Sequence, residues 1–290
     1  MVIGDLPMKK TRFIPCLLLP LLSGCYSSTS IGTYADADKY LSGNQNYDSK
    51  ISRIDVDWIC GKLTLVSDQS ITGAKLEEEN EFTVEEKVHS YLKDEQLNVK
   101  FFASGHRSYN LDPKGKELIL TYNPDYISEL NIWLTSGTLI APKLTVSSKV
   151  DIALTSGVAN IEGITAPTFE GSFTSGSLLV KELNADKAKI SGTSGTIDVS
   201  NIKASEFHSS ITSGHQSLRF ISFATSNVSM TSGETTVKLP DEGGILTIDK
   251  SRTGSLKINR ANNSDGSRYV FGESKSTMAI DFTSGKLTIE

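Results

Sequence analysis

The sequence predicts an all-β protein, a parallel β-helix or solenoid with coils of about 19 residues behind a β-rich N-terminal capping region. Three observations carry this expectation. The triplet Thr-Ser-Gly recurs at 135–137, 155–157, 174–176, 193–195, 212–214, 231–233 and 283–285, with Arg252-Thr253-Gly254 standing in the one long gap. Aligned on their glycines, the units keep apolar residues in the same places. The composition, 38% hydrophobic and 22% charged with few amphipathic helical patterns, suits a β core. A fixed period of this length is the signature of stacked repeats, in which each unit buries its apolar side against the next.

The columns give the period physical content. Two residues past the glycine stand Leu139, Ala159, Leu178, Ile197, Gln216 and Thr235; four past stand Ala141, Ile161, Val180, Val199, Leu218 and Val237. Seven past come Leu144, Ile164, Leu183, Ile202 and Ile221, and nine past come Val146, Ala166, Ala185, Ala204 and Phe223. Steps of two separated by a step of three read as short strands joined by corners, about three strands to a coil. The glycine marks a corner that needs positive φ or close backbone approach, and the Thr and Ser beside it can bond neighbouring backbone or stack from coil to coil. The segment Trp58-Ile-Cys-Gly-Lys-Leu-Thr-Leu65 echoes Phe282-Thr-Ser-Gly-Lys-Leu-Thr-Ile289, which places Cys60 in a small-residue structural slot.

Four segments follow: a signal peptide over 1–24, a polar tether over 25–48, a β-rich head or cap over 49–125 and the Thr-Ser-Gly solenoid over 126–290. Lys9, Lys10 and Arg12 precede an apolar run from Phe13 to Leu22 that is too short to span a bilayer as a helix, so the segment reads as an export signal. Its end, Leu22-Ser23-Gly24-Cys25, resembles the lipobox of bacterial lipoproteins. That resemblance implies acylation of Cys25 and attachment to a membrane through lipid, where two or three chains give a stable anchor. Tyr26 in place of Asp after the cysteine favours an outer membrane where the cell has one. With Cys16 in the signal and Cys25 at its end, only Cys60 lies in the body, and no intramolecular disulfide is expected.

The net charge of −5 leaves no electrostatic footprint for nucleic acid. No cofactor is expected, nor a metal: His89, His106, His208 and His215 have no ligand spacing and read as surface or corner residues. Glu162, Glu170, Glu182, Asp186, Asp198 and Glu206 occupy different positions within their coils, whereas acid and base must meet at one bond, so no catalytic residues are assigned. Thr135, Thr155, Thr174, Thr193, Thr212 and Thr231 form a candidate binding ladder, weighed against a structural role in satisfying corner backbone. Phe101 and Phe102 are expected to be buried, with a contact role in the head as the alternative.

An early strand-Ser-Gly-strand-like unit, a charged segment from Lys75 to Lys93, a short strand before Asn123-Pro124 and then serial Ser-Gly coils together resemble the DUF4097 group of adhesin-like β-strand repeat proteins over about residues 50–290. The resemblance implies a parallel β-helix in a cell-envelope setting and brings no catalytic residues. The functional expectation is a non-enzymatic envelope lipoprotein that presents a rigid surface for adhesion or scaffolding, its partner an envelope protein or a glycan. A protein-binding envelope accessory and a carbohydrate-binding or carbohydrate-active β-helix are the alternatives.

Overall fold

The computed structural model describes residues 29–79, 81–108, 116–250, 254–265 and 267–290. Cys25, the export signal and the turn residues 112–115 lie outside them. Each apolar pair two residues apart puts both side chains on one face of a strand, so every unit has somewhere to hide them only if a second unit lies on top. The chain does this by winding. The run Lys149–Ile161 pairs parallel with Ile164–Val180 in a constant register, Val150 opposite Phe169 and Ala159 opposite Leu178. Ile164–Val180 pairs in the same way with Leu183–Lys238, one unit further on. The columns fuse into a single apolar core running the length of the stack.

The stack begins at Arg53–Trp58 and Lys62–Ser67, which stand in parallel register with Glu129–Leu134 and Thr138–Ala141. The echo around Trp58 is therefore a true coil, and Cys60 is buried at the corner preceding Gly61. Order in space departs from order in sequence at both ends. Gln96–Lys100 lies on the outer side of Arg53–Trp58, and Glu117–Tyr122 on the outer side of Lys62–Ser67. At the far end, Thr277–Phe282 and Lys286–Ile289 slot between 225–237 and the coil formed by Gly243–Lys250 and Ser255–Ile258. Gly254 thus belongs to the terminal rung, and Gly285 takes the place above Gly233. Burial explains the exchange: Met278, Ile280, Phe282, Leu287 and Ile289 are all buried, whereas Leu256 and Ile258 are half-covered and suit an end rung.

Antiparallel strands stop growth at each end. His89–Lys93 turns back on Gln96–Lys100, Ala74–Glu78 on Glu117–Tyr122, and Arg268–Gly272 on Gly243–Lys250. A parallel edge left open would template another chain, and such caps cover the edges of Gln96–Lys100, Glu117–Tyr122 and Gly243–Lys250. The described part of the expected tether joins the N-terminal cap: Leu41–Ser42 pairs with His89–Lys93, and Gln45–Tyr47 with Ala74–Glu78. Backbone pairing there outcompetes the solvation of a small polar segment.

One interior position differs from the sequence columns. Ile221 is 47% exposed, and Phe220 is buried in its stead. Phe220 meets Phe207 edge-on at 5.1 Å between centroids and lies 5.1 Å from Phe223, so an aromatic cluster takes the interior and turns the neighbouring isoleucine outward. Gln216 and Thr235, polar members of an apolar column, are buried with their partners supplied. Gln216 accepts from the Ser209 hydroxyl and donates to the Ser229 carbonyl and the Thr235 hydroxyl, each of the latter two at 3.2 Å. A buried polar cluster is tolerable when it is satisfied in this way.

Candidate functional site

The six threonines of the candidate ladder are all exposed, and the stacked coils bring them into one column along the solenoid edge. Peptide groups of adjacent coils bond one another at these corners. The Ser156 N–H donates to the Thr135 carbonyl at 2.7 Å, Val158 N–H to the Gly137 carbonyl at 2.9 Å and Ser284 N–H to the Thr231 carbonyl at 2.9 Å. Coil-to-coil peptide bonds supply partners for these corner N–H groups, beside the exposed threonines. Ser156, Ser175, Ser194, Ser213 and Ser232 are exposed beside them, forming a second hydroxyl column. Adjacent rungs repeat at about 4.8 Å.

Four acidic residues of the coils meet lysines of neighbouring coils. Glu162 pairs with Lys181 at 2.7 Å, Glu170 with Lys149 at 2.7 Å, Glu206 with Lys187 at 3.5 Å and Glu234 with Lys286 at 2.8 Å. Opposite charges across adjacent strands add modestly to stability and keep the outer face wet. Among the described residues, no group of three or more His, Cys, Asp or Glu side chains is arranged to hold a metal. His215 is exposed beside Glu234, but His89 is buried, against expectation. It lies in the cap with Nδ1 2.9 Å from the Lys87 carbonyl, and burial lowers its pKa.

Phe101 and Phe102 are fully buried, and what they surround was not apparent from sequence. The Lys116 side chain has no exposed surface, and its ammonium lies 5.5 Å from the Trp58 ring centroid, 4.6 Å from Phe82, 4.8 Å from Phe101 and 5.2 Å from Phe102. It donates to Glu78 Oε1 at 2.5 Å and to the Glu86 carbonyl, while Glu78 Oε2 accepts from the Val88 N–H at 3.1 Å. Burial lowers the Lys116 pKa and the Glu78 carboxylate opposes that shift. Desolvated cation–π contacts and one close counter-ion make this the electrostatic pin of the cap.

A third feature lies on the outer face of the cap. Tyr34, Tyr40 and Tyr91 stand in a row, with ring centroids 4.7 and 5.5 Å apart, over the strand Gln96–Lys100. Together with Gln96, Asn98 and Lys100 they line a cleft of about 430 Å³. The Tyr34 hydroxyl donates to the Phe102 carbonyl at 3.1 Å; burial, then Tyr40, pushes its pKa up to about 12, so it stays protonated. Gln96 is held by Asp55 Oδ2 at 2.7 Å and by Asn98 Oδ1 at 3.1 Å, and Asp55 also accepts from Arg53 and Asn131. Three non-glycine residues with left-handed backbone belong to this cleft or its edge: Asp36 at φ 56°, Asp94 at 51° and Glu95 at 62°. Such conformations are uncommon and persist where surroundings hold them. No single stretch of sequence could reveal the cleft, because its rings come from two segments, 34–40 and around Tyr91.

Corner glycines, serial parallel coils and end caps define a β-solenoid protein that displays surface columns. The chain belongs to the Toastrack DUF4097 family, whose family model matches residues 62–290. No curated protein sequence matches it. Among solved structures it resembles a candidate adhesin from Bacteroides fragilis, with a TM-score of 0.55 and 12% identity over 87% of this chain and 97% of that one. A candidate adhesin from Parabacteroides merdae aligns at 13% identity over 88% and 98% of the two chains, with a TM-score of 0.39. A candidate cell adhesion protein from Clostridium sporogenes does so at 15% identity over 87% and 99%, with a TM-score of 0.25. At these identities the Bacteroides fragilis structure speaks for the fold alone.

Proposed function

We propose that the chain is a non-enzymatic envelope protein, lipid-anchored through Cys25, that uses its rigid solenoid as a contact surface for adhesion or scaffolding. The observation that carries this reading is the pair of exposed hydroxyl columns, repeated rung after rung on a stiff parallel stack. A periodic surface of that kind suits extended contact with another envelope component or a repetitive glycan. The pairing of coil carboxylates with lysines favours display over acid–base chemistry. The Bacteroides fragilis candidate adhesin of the same fold agrees with this role, and the lipobox-like Leu22-Ser23-Gly24-Cys25 supplies the anchor.

One experiment tests both halves. Cells making the wild-type chain should carry it in the membrane fraction and adhere more strongly than cells lacking it, whereas Cys25→Ser should release it and abolish the gain. Unchanged membrane fractionation of Cys25→Ser would remove the anchor from the proposal, and wild-type cells adhering no better than cells without the chain would remove adhesion.

A further inference from the structure

We propose that the tyrosine cleft of the N-terminal cap binds a saccharide, with the rings of Tyr40 and Tyr91 as its stacking platform and Gln96 and Asn98 as its hydroxyl-reading groups. The cleft volume of about 430 Å³ lies within the range of small-molecule sites, roughly 300–1,000 Å³. Its chemistry selects among guests. Lys39 already faces the Tyr91 ring at 5.9 Å and Lys100 faces the Tyr34 ring at 5.7 Å, so a cationic guest would meet like charge on those faces. Asp36 and Asp94 oppose an anionic one, Asp36 forming an ion pair with Lys39 at 2.7 Å. A purely apolar guest would cover the Gln96 and Asn98 amides without using the hydrogen-bonding capacity that their bonds to Asp55 and to each other leave over.

A sugar ring satisfies both kinds of wall. Its C–H face covers an aromatic ring, and its hydroxyls both donate to carboxylates and accept from amides. Those polar groups are already oriented: Gln96 is fixed between Asp55 and Asn98, and Asp55 by Arg53 and Asn131. Orientation before binding lowers the entropy lost on association. The strand register then extends the site. Lys100, Asp57 and Trp133 stand opposite one another in one row of the outer face, which places Trp133 about 10 Å from the Lys100 position, two strand spacings away. Trp133 is 43% exposed and offers a second platform to a chain of more than one sugar.

The inference does not rest on the anchor or on adhesion, because the cleft is complete within the chain in solution; failure of either reading leaves the other standing. The full chain is titrated with glucose, galactose and N-acetylglucosamine and with the β1,4-linked tetramer of each, followed by calorimetry. At least one tetramer should bind saturably. Tyr40→Ala and Gln96→Ala should each weaken it about tenfold or more, and Tyr40→Phe, which keeps the ring, should stay within about threefold. Trp133→Ala should weaken the tetramer and leave the monosaccharide unchanged. Saturation by none of the six sugars would overturn the proposal, as would wild-type binding by both Tyr40→Ala and Gln96→Ala. If Tyr40→Ala melts the cap, Gln96→Ala decides alone, since it removes one surface amide.

Discussion

Gly195→Ala is expected to be among the most damaging single substitutions in the chain. Gly195 has φ +130°, a conformation that side chains rarely adopt, and a Cβ built on it overlaps the carbonyl oxygen of Gly176 in the coil beneath. The residue beneath cannot yield, because that carbonyl is backbone fixed in the same ladder. Positive-φ strain costs about 1–3 kcal/mol and overpacking a close contact about 1–3 kcal/mol more, so a loss of roughly 2–6 kcal/mol is expected by urea unfolding. Two neighbours serve as references. At Gly163 an added Cβ comes no closer than 3.7 Å to any atom, and Ser194 is exposed, so Gly163→Ala and Ser194→Ala should each stay within about 0.5 kcal/mol of wild type. Gly195→Ala behaving like Gly163→Ala would refute the stacked corner.

The second large effect lies in the cap. Glu78→Gln should cost about 3–5 kcal/mol, because it leaves the Lys116 ammonium buried without its counter-charge. The rings around it compensate only in part: desolvated cation–π contacts contribute on the order of 2 kcal/mol. Removing both charges is a different case. The pair Glu78→Leu with Lys116→Met abolishes the desolvation of two ions and should recover most of the loss, making the two positions strongly non-additive. A Glu78→Gln chain that unfolds at the wild-type urea midpoint would mean that the ammonium reaches water.

The solenoid was legible from sequence because its corner makes the same demand in every coil. Only glycine fits under the next carbonyl, so Gly137, Gly157, Gly176, Gly195, Gly214 and Gly233 recur in phase, and the inward residues recur with them. Legibility fails where packing rather than local geometry decides. Ile221 fits its column by spacing, yet Phe220 fills the interior because Phe207 and Phe223 leave an aromatic slot. The 21-residue step from Gly233 to Gly254 imitates an ordinary repeat, but the coil ending at Ile289 takes the inner rung. Its Lys286 meets Glu234 at 2.8 Å and its apolar side chains are more completely buried.

Of the candidate sites, the threonine column was visible and its exposure was not, because sequence does not say whether a corner hydroxyl or a neighbouring carbonyl satisfies the corner N–H. The tyrosine cleft and the Lys116 cage were invisible for a different reason. Tyr34 and Tyr40 come from one short segment and Tyr91 from another some fifty residues on, and Lys116 is brought to Trp58 by the pairing of Glu117–Tyr122 with Lys62–Ser67. Nothing periodic announces either one.

Removal of one complete coil tests the central claim most directly. Gly176 stands opposite Gly195, and Ser177 opposite Thr196, so deleting 177–195 joins the chain at an equivalent place one rung further along. The shortened chain should keep its β-sheet circular dichroism and unfold cooperatively at a moderately lower temperature, as stacked repeats do when one unit is lost. Deleting 177–186 instead breaks the register of every later coil and should abolish that cooperative transition. Equal damage from the two deletions would contradict a solenoid of interchangeable coils.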